Sequence, residues 1–437
     1  MHKSNLFFLC LVGMLLCISS CVEKRDLSKN VVIASIGTTP DGLHPFNVNS
    51  NLSTYVFTFT QKTLHATDPR TLKQIPVLIK EMPDTIGDLK TFYFEVKKGI
   101  KWDDGTDFTG ADVVFTMKMT VCPLTNNPGA KSIYASVIDE VWTDPNNPYK
   151  VYYSTKSVQY TAKTLFQEIK MQQKEYWDPE NITDEIVFKN IENLKASKKI
   201  EKWFREFNGN ENNFNPDKLV GLGAYQVKEL KEGSHVTLIK KQNHWTKGDT
   251  LLHNLAYPDK IVLKVISDKS AVKLALKSER IDVDNSMSAK TLRKIEKSDY
   301  FKKNYSTSFR NRYVYTYMGL NTKPDLSYQK PFFVDVRVRR AIAHLVPVDE
   351  IIEVLLKGDG GRQASSTSVF NYRYNDTLDL ISLNINKAKE LLTEAGWVDT
   401  DGDHVLDKEF NGKQIPFKFK VSYMSGGSSK DLSLIHI

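Results

Sequence analysis

The densest set of groups able to do chemistry is a run of carboxylates, Asp399-Thr400-Asp401-Gly402-Asp403-His404-Val405-Leu406-Asp407. Acidic side chains at alternate positions supply the hard oxygen ligands that calcium takes. An EF-hand loop also needs glycine at its sixth position and glutamate at its twelfth, and His404 and Phe410 stand there instead. A calcium loop and a plain Asp/Gly turn leading into a strand both fit. Other chemistry leaves no signature. The chain has no His-Glu-x-x-His, no Gly-x-Ser-x-Gly elbow, no phosphate loop and no Cys-x-x-Cys pair. Its histidines, among them His44, His65, His235, His244 and His253, are scattered without ligand spacing and read as surface or packed residues. No catalytic residue, metal site or cofactor is therefore assigned.

One cysteine does carry a reaction. Lys3 gives a positive start, Leu6 to Ile18 is an apolar stretch, and Ile18-Ser19-Ser20-Cys21 follows. Small residues before a cysteine at the end of such a stretch resemble the bacterial lipoprotein box, with cleavage before Cys21 and lipid placed on its sulfur. The alternative is a plain signal peptide with an incidental cysteine. Residues 1–20 are read as signal peptide and 21–30 as a charged, lipidated tether. Processing also removes Cys10 and Cys17, so Cys122 remains as a lone thiol with no intrachain partner. It reads as packed and inert.

The elements that must position everything else show in the periodicity. Val31 to Ile36 reads as a buried strand before a turn-rich segment, and Leu52 to Leu64 as a helix. Thr91 to Val96 is an aromatic strand running into the turn Asp103-Asp104-Gly105. Thr109 to Asp112 opens a helix through Met119, and residues 184–207 show helical spacing throughout. Tyr225 to Leu230 and Val236 to Lys240 form a hairpin, Ile261 to Ile266 a strand and Ala271 to Leu276 a helix. Asp335 caps a helix over 336–345, Asp349 is expected to cap a second one over 350–356, and Asn386 to Ala395 is a third. Strands and helices alternate irregularly, which predicts mixed α/β layers.

Composition sets the outer limits. The chain has 437 residues, 41% hydrophobic and 26% charged, which excludes disorder and leaves room for two or three domains. Four cysteines exclude a disulfide scaffold. The +8 charge, from 60 basic and 52 acidic residues, is interspersed and gives no nucleic-acid footprint.

Several stretches, taken in order, resemble one family. The strongest is Phe94-x-Val96-x-x-Gly99-x-x-Trp102-x-Asp104-Gly105 followed by Thr109-x-x-Asp112-Val113-x-Phe115. Asp41 to Pro45, Gly223-Ala224-Tyr225, Asn243-His244-Trp245, Leu276-Lys277-Ser278-x-x-Ile281-Asp282, Gly319 to Thr322, Asp335 to Ile342 and Ala388 to Trp397 complete the set. Together they are similar to the extracellular solute-binding proteins, family 5, of ATP-binding-cassette importers, the oligopeptide- and dipeptide-binding type. Trp102 and Asp112 are expected to be structural. One departure is visible, since Pro347 stands where the family usually has an Asp near the start of the next helix.

The resemblance implies an α/β, periplasmic-binding-protein-like two-lobe fold of type II with an inserted subdomain. Lobe I would be 31–74 and 215–290, the insert 75–214, and lobe II 291–431. It implies a periplasmic, membrane-anchored monomer that captures peptides between its lobes and passes them to a permease and ATPase. Asn49, Ser50 and Asn51 would lie along the peptide, and Tyr134 would face the cleft. Relatives sharing the fold leave a nickel chelate, haem or an oligosaccharide open as ligand, beside a tethered receptor or enzyme. Family members continue for another hundred residues or so, so the second lobe is expected to be incomplete. The last residues, Leu432 to Ile437, are what a sequencing-library transposon end would encode, and are read as a non-native tail. Replacing Cys21 by Ala is expected to move the protein from the detergent phase to the aqueous phase in detergent partitioning.

Overall fold

The computed structural model describes residues 29–47, 50–309, 313–371 and 373–422. The signal-peptide, Cys21, Asn49 and 432–437 expectations lie outside the described residues. The chain divides into two compact units, one ending at Met287 and one starting at Ser288.

The first unit runs β1 (Val31–Ile36), α1 (Asn51–Thr60), β2 (His65–Thr67), β3 (Gln74–Pro76), β4 (Asp84–Thr85) and β5 (Thr91–Glu95). It continues with α2 (Gly110–Val121), α3 (Pro128–Tyr134), β6 (Ile138–Asp144), β7 (Asn147–Thr155) and α4 (Lys198–Phe207). It closes with β8 (Tyr225–Lys231), β9 (His235–Lys240), β10 (Lys260–Val265) and α5 (Lys269–Lys277). One four-stranded sheet has the order β1-β10-β9-β8, with β1 and β10 parallel and the other pairs antiparallel. Each strand sends residues at i and i+2 to one face: Ala34 and Ile36, Ile261 and Leu263, Val236 and Leu238, Tyr225 and Val227. That alternation follows from the pleat. Val56 and Phe57 of α1 belong to the same core. Asp282 pins the arrangement, because its carboxylate accepts the Ile33 N–H at 2.7 Å.

A second sheet, β4-β5-β7-β6, anchors a larger core. Phe92 of β5 stacks on Tyr153 of β7, with centroids 5.0 Å apart. Helix α2 lies close against this sheet. A Cβ at Gly110 would come within 2.3 Å of Thr143 Cγ2 and 2.9 Å of the Pro148 carbonyl, so only glycine fits. Its first turn is closed by a capping box between Thr109 and Asp112. The Asp112 carboxylate accepts three hydrogen bonds. Trp102 Nε1 and Thr109 N–H reach Oδ2 at 3.3 and 2.9 Å, and Lys174 N–H reaches Oδ1 at 2.8 Å. Trp102 is buried and structural, as expected, and Cys122 is buried with its thiol pushed up to about 11.

The two cores meet at Gly221-Leu222-Gly223. Leu222 packs into the larger core, and Ala224 and Tyr225 into the smaller. Gly223 N–H donates to the Thr60 carbonyl at 3.0 Å. A Cβ on Gly221 would lie 2.1 Å from that oxygen, and one on Gly223 would lie 2.2 Å from the Phe59 carbonyl. Backbone meets backbone here, so a side chain has no flexible neighbour to displace.

The expected continuous helix over 184–207 is corrected. The chain forms 3-10 turns at Ile182–Glu185 and Phe188–Asn193, then α4. Asp178 takes the N–H groups of Ile182 and Thr183 at 2.8 Å each and so starts the first turn, the backbone is extended at Ile186 and Val187, and Ser197 N-caps α4 as a new start. Ile186, Phe188 and Ile191 are buried from non-helical backbone, so apolar spacing alone suggested helix.

In the second unit, α6 (Val336–Leu345) and α7 (Ile385–Glu394) pack on the hairpin β11 (Asp407–Phe410) and β12 (Lys413–Pro416). Asp335 N-caps α6 through the Arg337 N–H at 2.8 Å. Gly396, at φ +84°, follows the end of α7. Trp397 packs on Phe417 with centroids 4.6 Å apart. Asp349 does not cap. It sits inside a short turn of helix at Val348–Glu350 whose N-cap is Pro347, and it pairs with Arg362 at 2.8 Å.

Burial pushes the Asp112 carboxyl up to about 6, against its three hydrogen bonds. The folded state therefore holds more protons than the unfolded chain between about pH 4 and pH 6. Asp112's contribution to stability is greatest below that window and declines as pH rises through it. Asparagine cannot titrate, so the advantage of wild type over Asp112→Asn in urea unfolding is expected to shrink by about 2–3 kcal/mol from pH 4 to pH 6.

Candidate functional site

The candidate residues fall on two segments of the first unit. The first is the turn leading into α1. Ser50 is the N-cap of that helix: its Oγ accepts the Ser53 N–H at 3.1 Å, with the Ser53 hydroxyl also at 3.1 Å. The buried Ser53 hydroxyl lies within donating distance of Asp41 Oδ1 at 2.6 Å and of the Gly42 carbonyl at 2.8 Å. The Ser50 hydroxyl is thus occupied in holding the turn, its carbonyl accepts the Thr54 N–H at 3.2 Å, and the residue is half-buried. Asn51, the first helical residue, is exposed.

The second segment is α3. Asn127 caps it by accepting the Ala130 N–H at 3.1 Å, and Pro128 starts it. Tyr134 is its last residue. The ring is half-buried and packs against the larger core, and burial, followed by the charge of Glu168, pushes its hydroxyl up to about 12. It stays a neutral hydrogen-bonding group across the physiological range.

Ser50 and Tyr134 share no hydrogen bond or ring contact among the described residues, but one residue bonds, through its side chain and its carbonyl, to the stretches that precede both segments. Asn208, just past α4, accepts the Asn126 N–H on Oδ1 at 3.1 Å and donates from Nδ2 to the Leu124 carbonyl at 2.8 Å. Its own carbonyl accepts from Asn47 Nδ2 at 3.3 Å. The same region holds His44, buried between Phe207 and Trp177 with centroids 4.9 and 5.1 Å away. Burial holds that ring down to about 4, so it is neutral. Sequence reasoning missed this role of Asn208. The available signal was an asparagine directly after the apolar stripe of a helix, where the last carbonyls need partners.

Elsewhere, Asp399, Asp401 and Asp403 are exposed, with carboxylate oxygens within 4.8 Å of one another. They accept backbone N–H groups: Gly402 and His404 on Asp399, Asp403 on Asp401, and Val405 on Asp403. The loop leads into β11.

Comparison with known proteins adds the ancestry. The family description "Bacterial extracellular solute-binding proteins, family 5 Middle" matches residues 73–433. The oligopeptide-binding protein AppA of Bacillus subtilis is 27% identical over 402 residues, 91% of this chain and 65% of that protein. The periplasmic oligopeptide-binding protein OppA of Escherichia coli is 24% identical over 350 residues, 77% of this chain and 58% of that protein. The chain thus spans under two thirds of the length of these curated relatives. AppA solved in complex with a nonapeptide matches at a TM-score of 0.63 and 23% identity, covering 88% of this chain and 67% of that one. NikZ from Campylobacter jejuni in complex with Ni(L-His) matches at 0.62 and 19% identity, covering 88% and 66%. These likenesses fix the fold as the mixed α/β, two-lobe periplasmic-binding type.

Asn208→Ala would strand the Asn126 N–H and the Leu124 carbonyl. It is expected to cost about 0.5–1.5 kcal/mol and to speed amide exchange selectively at 124–134, read by hydrogen–deuterium exchange.

Proposed function

The chain belongs to the bacterial extracellular solute-binding proteins, family 5, and from that premise we propose that it captures peptides and hands them to the permease of an ATP-binding-cassette importer. The observation that carries the ligand class is the 27% identity to an oligopeptide-binding protein across most of the chain. In this proposal residues 31–74 and 215–290 are lobe I, 75–214 the inserted subdomain and 291–431 part of lobe II. Ligand lies between the lobes, and closure is driven by its tighter binding to the closed state.

Asn51, the backbone around Ser50 and the neutral Tyr134 hydroxyl would supply peptide contacts. They suit a ligand held through its amides: exposed amide and hydroxyl groups bond a peptide backbone without choosing its side chains. Asn208 would be a positioning residue. The protein would work in the periplasm as a monomer, held to the membrane through lipid on Cys21. A non-peptide ligand is a second reading, favoured by a solved neighbour of the same fold that holds Ni(L-His).

Native mass spectrometry on the protein purified from its own cell envelope without refolding tests both. A ladder of bound masses that resolves into peptides on denaturation is expected. One discrete non-peptide mass would move the protein to the second reading. An empty protein that a peptide mixture fails to stabilise would remove the peptide reading.

A further inference from the structure

The chain joins the first unit at β1, and the loop 256–259 lies at that end of the sheet. The loop 256–259 lies beside Asn30 and is fixed on several sides. Asn30 Nδ2 donates to the Tyr257 carbonyl at 2.8 Å, and Lys240 Nζ donates to the same oxygen at 3.2 Å. The Tyr225 hydroxyl donates to the Pro258 carbonyl at 2.8 Å, and Asp259 N–H donates to the Asn30 carbonyl at 2.8 Å. This rigid backbone holds out the Tyr257 ring, which is 72% exposed. Around it, Lys240 and Asp259 pair at 2.6 Å and cancel, and the exposed Lys260 adds positive charge. An exposed aromatic on an immobile loop gains nothing from folding. It fits a surface that is apolar below and anionic above, which is the lipid headgroup boundary.

Covalent geometry says how near that boundary is. From Cys21 to Lys29 the chain reaches at most about 30 Å. Lipid on Cys21 would keep Tyr257 within that distance of a bilayer, where even a weak contact is populated through high effective concentration. We propose that the sheet end presenting Tyr257 and Lys260 is the face that rests on an anionic phospholipid surface. The proposal rests on the lipidation of Cys21.

The test uses Tyr257→Cys in the full, acylated chain, labelled with an environment-sensitive fluorophore. Cys122 is buried and does not compete for the label. Leu89→Cys, 64% exposed on the turn between β4 and β5, is the control. On phosphatidylcholine vesicles containing phosphatidylglycerol, emission at position 257 is expected to shift to the blue, with no shift at 89. Adding Lys260→Glu is expected to lower the lipid-contacting fraction about fivefold or more. No shift at 257, equal shifts at both positions, or an equal shift on pure phosphatidylcholine would overturn the proposal. Mass spectrometry of the N-terminal peptide checks acylation separately. Should Cys21 prove unmodified, the proposal is overturned together with the reading it rests on.

Discussion

The first unit is organised around a buried carboxylate. Asp112 is taken into the larger core and receives three N–H groups from three separate stretches: the indole of Trp102, the start of α2 and the backbone at Lys174. Each stretch has an otherwise orphaned donor, and one side chain answers all three. Burial of an acid is unfavourable in itself, and it is offset only while all three donors arrive together. The loop, the helix and the 172–177 segment therefore hold their places as a set. The neighbouring carboxylate extends the junction, since Asp104 accepts from Gln173 Nε2 at 2.6 Å.

From that fixed point the rest is packing. The second sheet supplies stacked and edge-on aromatics, and the segments carrying Asn47, Asn126 and Tyr134 are laid over it by the side chain and carbonyl of Asn208. A binding protein needs contact groups that are exposed yet preorganised, because ordering them on binding would consume affinity. Here the polar side chains of the turn before α1 are spent on one another, and Tyr134 is left half-buried against the larger core.

Much of this was legible from residue order because it follows from short-range physics. Val31 to Ile36 and Ile261 to Ile266 read as strands from continuous apolar β-formers, and the structure pairs them in parallel. The Thr109–Asp112 box and the Asp335 cap depend only on side chains reaching N–H groups two or three residues away. What failed was long-range. Residues 184–207 have helical spacing, but extended backbone at Ile186 and Val187 and the N-cap at Ser197 divide them into separate pieces. Asp349 looked like a cap until a partner at position 362 appeared. The Asn208 brace joins residues more than eighty positions apart, and no local pattern announces such a pairing. Of the candidate contacts, Ser50 was found for its place in the chain, and only the coordinates show that its hydroxyl is already committed to the helix.

The glycine crossing gives the first unit a particular architecture. The chain leaves the smaller core after α1 and is back in it from Leu219 on, and Thr60 and Gly223 are joined across that crossing by a hydrogen bond of 3.0 Å. Everything between them, including the second sheet and its core, is an excursion whose two ends are already stapled together. The entropy of closing so long a loop is therefore met once, at that crossing, and the cost grows only with the logarithm of loop length. Lengthening or shortening the excursion should barely strain the small sheet beneath it. In this chain, then, the segment bearing Tyr134 is free to vary in size and shape while the platform that carries it stays the same, as long as two positions keep no side chain at all.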